Sequence, residues 1–182
     1  MLKVDWTNGA LQGSEVQRSE KTIAAMQDLF GDPEAARRMS PDRVVYRVQW
    51  WSPVAEGTEG GLFWGTTVVE AGRVGQEYFM THGHFHAKPS RTEFYGTVEG
   101  RGALILMDTD RKTWIEEMTQ GSLHHIAPGI GHRVANTGET PLRFIACWPS
   151  DAGYDYEIVR EYGFGSRLLA VDGVPTLVRG KA

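Results

Sequence analysis

The sequence predicts an all-β domain built as a sandwich or a barrel. From residue 44 onward the chain is a succession of short segments rich in β-branched and aromatic residues. Gly, Pro and Asn divide these segments at regular intervals, which favours a sandwich or a barrel over an α/β fold. The 182 residues contain no repeat of fixed period and no low-complexity linker, and their number fits a single domain with its own core.

The first 43 residues form an N-terminal extension with two short helices. An extended piece, Lys3–Trp6, comes first, and Ser19 is then predicted to cap a helix that stops at Gly31. The apolar residues of this helix at helical spacing are Ile23, Met26, Leu29 and Phe30. Asp32 and Pro33 begin a second helix that runs through Arg38, with Asp32 as the N-cap.

Residues 44–150 form the β core and residues 151–182 a short helix and a hairpin. The predicted core strands are Val44–Trp51, Leu62–Val69, Glu77–Thr81, Glu93–Glu99, Ala103–Met107, Lys112–Glu116, Leu123–Ile126, His132–Ala135 and Leu142–Cys147. The helix is predicted over Tyr156–Glu161. The hairpin consists of Arg167–Val171 and Val174–Val178, joined by the turn Asp172-Gly173.

Composition excludes several classes of function. The net charge is −4, the isoelectric point is about 5.9 and no Lys/Arg cluster occurs, so the chain lacks the basic surface that binds nucleic acid. There is no signal peptide and no apolar run long enough to cross a bilayer, so we expect a protein of the reducing cytoplasm. The single cysteine, Cys147, lies in an apolar segment and is predicted to be buried and unreactive.

Two histidines spaced two residues apart, His84 and His86, are the strongest functional signal in the chain. On an extended strand both imidazoles project from the same face. Glu93 follows on the same or the next strand, and His132 comes from a later one. Three neutral imidazoles and a carboxylate that converge on one point suit a divalent first-row metal with open coordination positions. The pattern therefore predicts that these four residues bind a metal ion.

The remaining three histidines are assigned other positions. His82 shares the face of His84 and is predicted to line the pocket without binding the metal. His124 and His125 alternate faces on a predicted strand, so one of them points inward, and neither is predicted as a ligand.

The segment from His84 to Asn136 resembles the paired motifs of the cupins. The first motif reads His84-x-His86-x6-Glu93-x6-Gly100, with a longer gap before the glutamate than most cupins have. The second reads Gly121-x5-Ala127-Pro128-Gly129-x2-His132-x3-Asn136, with alanine where many members have proline. The resemblance implies a single cupin domain over residues 1–182, a double-stranded β-helix (jelly-roll barrel) with the metal inside its mouth.

A wider set of motifs resembles one family, the cupin-type glucose-6-phosphate isomerases best known from archaea. The similarity extends from about Val4 to Val178. The matching motifs are Gly65-Thr-Thr67, Gly72-x-Val-Gly75, Thr81-x-Gly-His-Phe-His-Ala87, Glu93-x-Tyr95, Gly131-His-Arg133 and Trp148-Pro-x-Asp-Ala-Gly153. The resemblance implies an isomerase of glycolysis and gluconeogenesis that interconverts glucose 6-phosphate and fructose 6-phosphate and pairs into a homodimer.

The family also implies a role for each residue. The four ligands would hold one divalent ion, usually iron(II), with manganese, nickel or zinc able to substitute. The ion would meet the oxygens on C1 and C2 of an open-chain sugar and stabilise an enediolate, with Glu93 as the base. A hydride shift remains the alternative to proton transfer. Thr67, Thr81 and Gly83 would bind the phosphate through hydroxyls and a backbone N–H, and Tyr95 would project into the pocket.

Two positions depart from the family beside the sugar. Tyr154 stands where the family has a histidine associated with ring opening, and a phenol is a poorer proton shuttle than an imidazole at neutral pH. Trp148 replaces a tyrosine in the substrate site, whereas Tyr156 matches the family. Together with Glu93, Tyr154 and Tyr156 are the expected catalytic residues.

Three other functions fit parts of the pattern. A sibling isomerase could act on mannose 6-phosphate or another aldose phosphate. An iron-dependent cupin dioxygenase uses the same kind of ligands, although Thr81 and Gly83 favour a phosphorylated substrate. A non-catalytic sugar-binding cupin is disfavoured because the complete ligand set is present.

Overall fold

The computed structural model describes residues 1–180, in which β-strands are the main regular structure and helices a small part. The strands are β1 Lys3–Val4, β2 Leu11–Gln12, β3 Gln17–Thr22, β4 Val44–Trp51, β5 Leu62–Val69, β6 Arg73–Val74, β7 Glu77–Tyr78, β8 Glu93–Glu99, β9 Arg101–Met107, β10 Thr113–Thr119, β11 Leu123–Ile126, β12 Gly131–Asn136, β13 Leu142–Pro149, β14 Ser166–Val171 and β15 Val174–Arg179. The helices are α1 Ile23–Met26, α2 Pro33–Arg37 and α3 Glu157–Tyr162. The predicted all-β class, with short N-terminal helices and a C-terminal hairpin, is confirmed.

Two sheets carry the core. The larger has six strands in the order β11-β8-β13-β5-β4-β3, and the smaller has three in the order β10-β9-β12. Side chains from both contribute to one buried cluster, for example Val69 and Phe144 from the larger sheet and Leu104 and Val134 from the smaller. The strands β4, β5, β8 and β11 have the limits predicted from the sequence. No helix among residues 1–180 is long and apolar enough to cross a membrane.

The prediction of a helix beginning at Ser19 is wrong. Ser19 lies within β3 and pairs with Val48 of β4, and Lys21 pairs with Tyr46. Helix α1 starts only after Thr22 and a 3-10 turn over Gln27–Leu29 follows it. The ladder to β4 satisfies backbone groups along six residues, which outweighs a weak local preference for helix.

The other three terminal features agree closely with the sequence prediction. The Asp32 side chain accepts a hydrogen bond from the Ala35 N–H at 2.8 Å, so Asp32 is the N-cap of α2, with Pro33 as its first residue. In the hairpin, β14 pairs with β15 around Asp172 and Gly173, both of which have positive φ angles. The helix predicted over Tyr156–Glu161 lies one residue further on, at Glu157–Tyr162.

The segment after β7 is the part of the fold that shapes the site. The strand predicted to reach Thr81 ends at Tyr78, and the chain then runs antiparallel beside β12. The Thr81 N–H donates to the Val134 carbonyl, and His84 forms a bridge with His132. Between these two pairings, His82 and Gly83 lie opposite the single residue Arg133. This is a β-bulge, and Gly83 supplies the positive φ of 78° that the bulge requires.

Candidate metal centre and substrate pocket

His84, His86, Glu93 and His132 lie together, with one potential ligand atom from each within 4.8 Å of the others. Glu93 begins β8, His132 is in β12, and the two remaining histidines are in the segment after β7. The His84–His132 bridge places two imidazoles side by side, with ring centroids 4.5 Å apart. Three of the four side chains are buried, and His84 is partly exposed toward the cavity.

Backbone carbonyls orient two of the imidazoles. His86 Nδ1 is 3.0 Å from the Arg91 carbonyl and His132 Nδ1 is 3.2 Å from the Ile130 carbonyl. A carbonyl only accepts, so each Nδ1 carries a proton, and Nε2 of each ring is the atom that faces Glu93 and would bind a metal. Such outer contacts set the tautomer and the orientation of metal-binding histidines.

The residues fit a divalent cation. His132 Nε2 is buried and has no hydrogen-bond partner among residues 1–180. It lies 3.2 Å from Glu93 Oε2, as does His86 Nε2, but the His132 contact lacks hydrogen-bond geometry. A buried nitrogen left without a partner is costly, and a cation shared with the carboxylate would satisfy it.

The charge states also suit a metal. Burial raises the pKa of the Glu93 carboxyl, but contacts with His132 and His86 outweigh this and lower it to about 2. Burial and the neighbouring His132 hold the pKa of His84 well below its usual value. At neutral pH the centre therefore offers an ionised carboxylate and a neutral His84, the forms in which both residues bind metals.

A cavity of about 340 Å³ opens above the cluster. Glu93, His84 and His132 line its inner end. The seven other residues predicted to contact substrate or take part in catalysis line the same cavity: Thr67, Thr81, Gly83, Tyr95, Trp148, Tyr154 and Tyr156. His82 lines it as well, as the strand alternation predicts.

Thr81 and Gly83 offer hydrogen-bond donors at one side of the cavity. Thr81 Oγ1 accepts a hydrogen bond from the Val134 N–H at 3.0 Å, so its own proton is available to a ligand. Thr67 lies in β5 and is only 8% exposed, with its side chain in the cavity wall. These groups are neutral donors, which bind an oxyanion without a formal charge of their own.

Aromatic rings form the outer wall. Tyr154 packs against His84 and Tyr156 against His82, each with ring centroids 4.8 Å apart. The two tyrosine rings are stacked. Burial and the negative charge of Glu93 raise the pKa of Tyr154, and the same two causes raise that of Tyr95 well above its usual value. Both phenols therefore remain protonated donors at neutral pH.

An ion-pair cluster anchors the loop that carries the tyrosines. The Asp151 carboxylate lies 2.8 Å from Lys88 Nζ and 2.6 Å from Arg91 Nη2, and its side chain is 2% exposed. These contacts hold the pKa of Asp151 well below its usual range. Arg91 also supplies the carbonyl that orients His86, so Asp151 connects the rim of the cavity to the metal centre.

Several cavity residues escaped the sequence prediction. Tyr46, Val48 and Trp50 of β4 line the cavity, and their alternation along a correctly predicted strand could have placed them on one face. Lys21 was missed for another reason, because β3 was predicted as helix. Lys21 is exposed at the rim and is a lysine of the cavity lining.

The remaining candidates lie outside the centre. His124 is buried, as predicted for one of the pair, and its ring contacts Glu116 at 2.7 Å and Ser122 at 2.8 Å. His125 is exposed. Cys147 is half-buried and not fully buried as predicted; burial and the charge of Glu93 raise its pKa, which disfavours the reactive thiolate.

Comparison with known proteins places the chain in a family. The family model "Glucose-6-phosphate isomerase (GPI)" matches residues 20–180. The glucose-6-phosphate isomerase of Thermococcus litoralis is 35% identical over 174 residues, which cover 94% of this chain and 90% of that protein. The glucose-6-phosphate isomerase of Pyrococcus furiosus is 36% identical over 176 residues, with coverage of 94% and 90%.

A solved structure of oxalate decarboxylase from Bacillus subtilis is similar over 60% of this chain and 26% of its own, with 20% identity and a TM-score of 0.47. That similarity is too distant to bear on function. The sequence relatives match nearly the whole chain, and so does the family model. The protein therefore belongs to the family of cupin-type glucose-6-phosphate isomerases.

Proposed function

We propose that the protein is a metal-dependent isomerase that interconverts glucose 6-phosphate and fructose 6-phosphate. The observation that carries the proposal is the placement of the His/Glu cluster at the inner end of a cavity that also presents Thr81, Gly83 and Lys21. One cavity thus offers donors for a metal and donors for an oxyanion. Its volume of about 340 Å³ falls within the range of small-ligand pockets.

The four residues His84, His86, Glu93 and His132 would hold the ion, for which we propose iron(II). Nitrogen and carboxylate donors also accept manganese, nickel or zinc, so the donor set alone does not select one ion. When bound, the ion polarises the sugar carbonyl and stabilises negative charge that develops on the adjacent oxygens.

Glu93 is the proposed base. Its contacts with His86 and His132 both involve Oε2, so Oε1 is left out of both and can accept a proton. In the forward direction Glu93 removes the C2 proton of the open-chain aldose and returns it to C1, while the hydroxyl proton on O2 passes to O1. Its low pKa keeps Glu93 ionised and ready to accept, but makes it a weak base, so the substrate must be held in close alignment.

The phosphate is proposed to bind at Thr67, Thr81 and Gly83. The hydroxyl proton of Thr81 is free to donate, and hydrogen bonds from neutral donors to a phosphate are strengthened by its charge. Lys21 at the rim adds a cation that can approach the same group. This arrangement fixes one end of the sugar while C1 and C2 reach the base.

The sugar ring is proposed to open against Tyr154, Tyr156 and Trp148. The raised pKa of Tyr154 makes this phenol a hydrogen-bond donor and a slow proton shuttle. Mannose 6-phosphate is the alternative substrate, because it differs from glucose 6-phosphate only at C2, and Tyr154, one of the two departures from the family, packs against the proposed ligand His84. We also expect a homodimer, which sedimentation analysis would test.

The deciding experiment is a coupled assay on glucose 6-phosphate and mannose 6-phosphate, run on apoprotein reloaded with each ion in turn. We expect turnover of glucose 6-phosphate only after metal is restored. An oxygen electrode in the same reactions tests the dioxygenase alternative. Absence of isomerisation with every ion would refute the proposal.

A further inference from the structure

Arg133 is a buried cation without a carboxylate partner. Its side chain is 4% exposed, and among residues 1–180 no acid forms a salt bridge with it. The carboxylate with the largest electrostatic effect on Arg133 is that of Glu77. It is already paired with Arg167, whose Nη1 lies 3.0 Å from Glu77 Oε1. Arg133 instead donates to the His82 carbonyl at 2.5 Å and contacts Met80 Sδ at 3.2 Å, and its Nε has no partner in the described chain.

Such a charge normally destabilises a protein. Removing a cation from water costs several kcal/mol unless an anion compensates it, and an unsatisfied buried donor adds to that cost. The guanidinium carbon lies 4.4 Å from the centroid of the Phe164 ring. This cation–π contact offsets only part of the cost of burial. The structure therefore retains Arg133 at a cost in stability, which points to a role outside folding.

The position of Arg133 suggests what that role is. It is the single residue opposite the bulge at His82 and Gly83. A Cβ added to Gly83 would lie 2.8 Å from Arg133 Cβ and 2.9 Å from Nε, so the arginine fills the space directly behind this glycine. The bulge and the arginine thus form one packed unit, with the cavity on its other side.

One peptide group connects the arginine to the cavity. The His82 carbonyl and the Gly83 N–H belong to the same trans peptide, in which C=O and N–H point in opposite directions. Because the guanidinium binds the carbonyl, the N–H is turned away from Arg133. The bound cation also polarises the peptide and strengthens its N–H as a donor. Gly83 lines the cavity, whereas Arg133 does not.

We propose that Arg133 is a positioning residue for the phosphate of the substrate: it aims the Gly83 N–H into the cavity and supplies positive charge from behind the bulge without touching the ligand. The inference rests on the proposed function, because it takes the phosphate to bind at Thr81 and Gly83. The phosphate dianion then supplies the negative charge that the buried Arg133 guanidinium lacks in the free protein.

The test compares Arg133→Met, Arg133→Lys and the control Arg43→Met in the full-length metal-loaded protein. Arg43 also lies over an aromatic ring, at 5.0 Å from the centroid of Phe79, and donates to a backbone carbonyl, but it is outside the cavity lining. The readouts are kcat, KM for glucose 6-phosphate, metal content, and the dissociation constant of inorganic phosphate measured by calorimetry.

We expect Arg133→Met to raise both KM and the phosphate dissociation constant by about 10- to 100-fold, with kcat within about threefold and metal content unchanged. Arg133→Lys should recover most of the affinity, because it restores the charge. Arg43→Met should change neither constant. A general structural role would instead lower kcat, metal content and thermal stability together and would not be rescued by lysine.

Two outcomes would overturn the inference: a folded Arg133→Met protein whose KM and phosphate affinity stay within twofold of the wild type, or lysine and methionine variants that lose affinity equally. If the methionine variant does not fold, a lysine variant that loses phosphate affinity about as strongly as Thr81→Val also overturns it. The proposed function would fail in a different way, because the wild-type protein itself would then not isomerise glucose 6-phosphate.

Discussion

The inner and outer ends of the cavity are built in different ways. At the inner end, His84 and His132 are fixed by a ladder bridge, and backbone carbonyls orient His86 and His132. At the outer end, Tyr154 is 48% exposed and belongs to an irregular segment after β13. Both departures from the family, Tyr154 and Trp148, lie at the outer end. Strand pairing and backbone contacts thus fix the inner end, whereas Tyr154 lies outside the sheets and Trp148 lies in β13, paired with Phe63.

The largest effect is expected at the inner end. Glu93→Gln keeps the shape of the side chain but removes the proposed base and the charge that the histidines face. We expect kcat to fall by about 10³-fold or more and the affinity for metal by about 10- to 100-fold. The coupled assay and metal analysis after dialysis measure the two losses. Near-normal isomerisation by Glu93→Gln would show that Glu93 is not the base.

A smaller effect is expected where the phosphate is proposed to bind. Thr81→Val removes one donor and retains the shape of the residue, so KM for glucose 6-phosphate should rise about tenfold. Metal content should stay the same, because Thr81 is not among the four residues of the cluster and its hydroxyl contacts the Val134 N–H. Thr176→Val, on β15, is the matched control. Loss of metal in Thr81→Val would contradict this expectation, because it would show that Thr81 also supports metal binding.

The loop anchor at Asp151 should give a moderate effect that depends on pH. Contacts with Arg91 and Lys88 depress the pKa of this carboxyl in the folded state, so the ion pairs stabilise the protein above the unfolded pKa of about 4. Asp151→Asn should lower the melting temperature and reduce kcat/KM several-fold at pH 7. The difference in melting temperature should shrink as the pH falls below about 4, because the carboxyl takes up its proton in the unfolded chain while it is still ionised in the folded protein.

Scanning calorimetry of both proteins between pH 3 and 8 checks this expectation. Glu117→Asn, which removes an exposed ion pair with Arg101, is the control and should change little at any pH. A constant gap between wild type and Asp151→Asn down to pH 3 would rule out the ion pairs as its origin.

The smallest effect is expected at the rim. Tyr154→His introduces an imidazole, whose pKa near neutrality suits proton transfer to the ring oxygen. We expect a rise in rate of about two- to threefold, largest when the substrate is supplied as a freshly dissolved cyclic anomer. Tyr162→His, at an exposed tyrosine outside the cavity lining, is the control. An unchanged rate would place ring opening at another residue.

The sequence determined those features whose information is local. The β-branched and aromatic content of the segments, with Gly, Pro and Asn between them, predicted the limits of β4, β5, β8 and β11, and the capping chemistry of Asp32 predicted the start of α2. The His84-x-His86 spacing, together with Glu93 and His132, identified four residues that the structure brings within ligand distance of one another. In each case the residue types limit the local backbone or the ligand chemistry directly, while the His84–His132 bridge supplies the convergence of the cluster.

The tertiary structure alone decided the rest. β3 exists because residues 17–22 pair with β4, a choice between ladder and helix that the local sequence leaves open, and this pairing brings Lys21 to the cavity. The bulge at His82 and Gly83 depends on the register against β12, and the burial of Arg133 depends on packing by Phe164. Hydrogen-bond register and desolvation depend on residues far apart in the chain, and only the folded molecule brings those residues together.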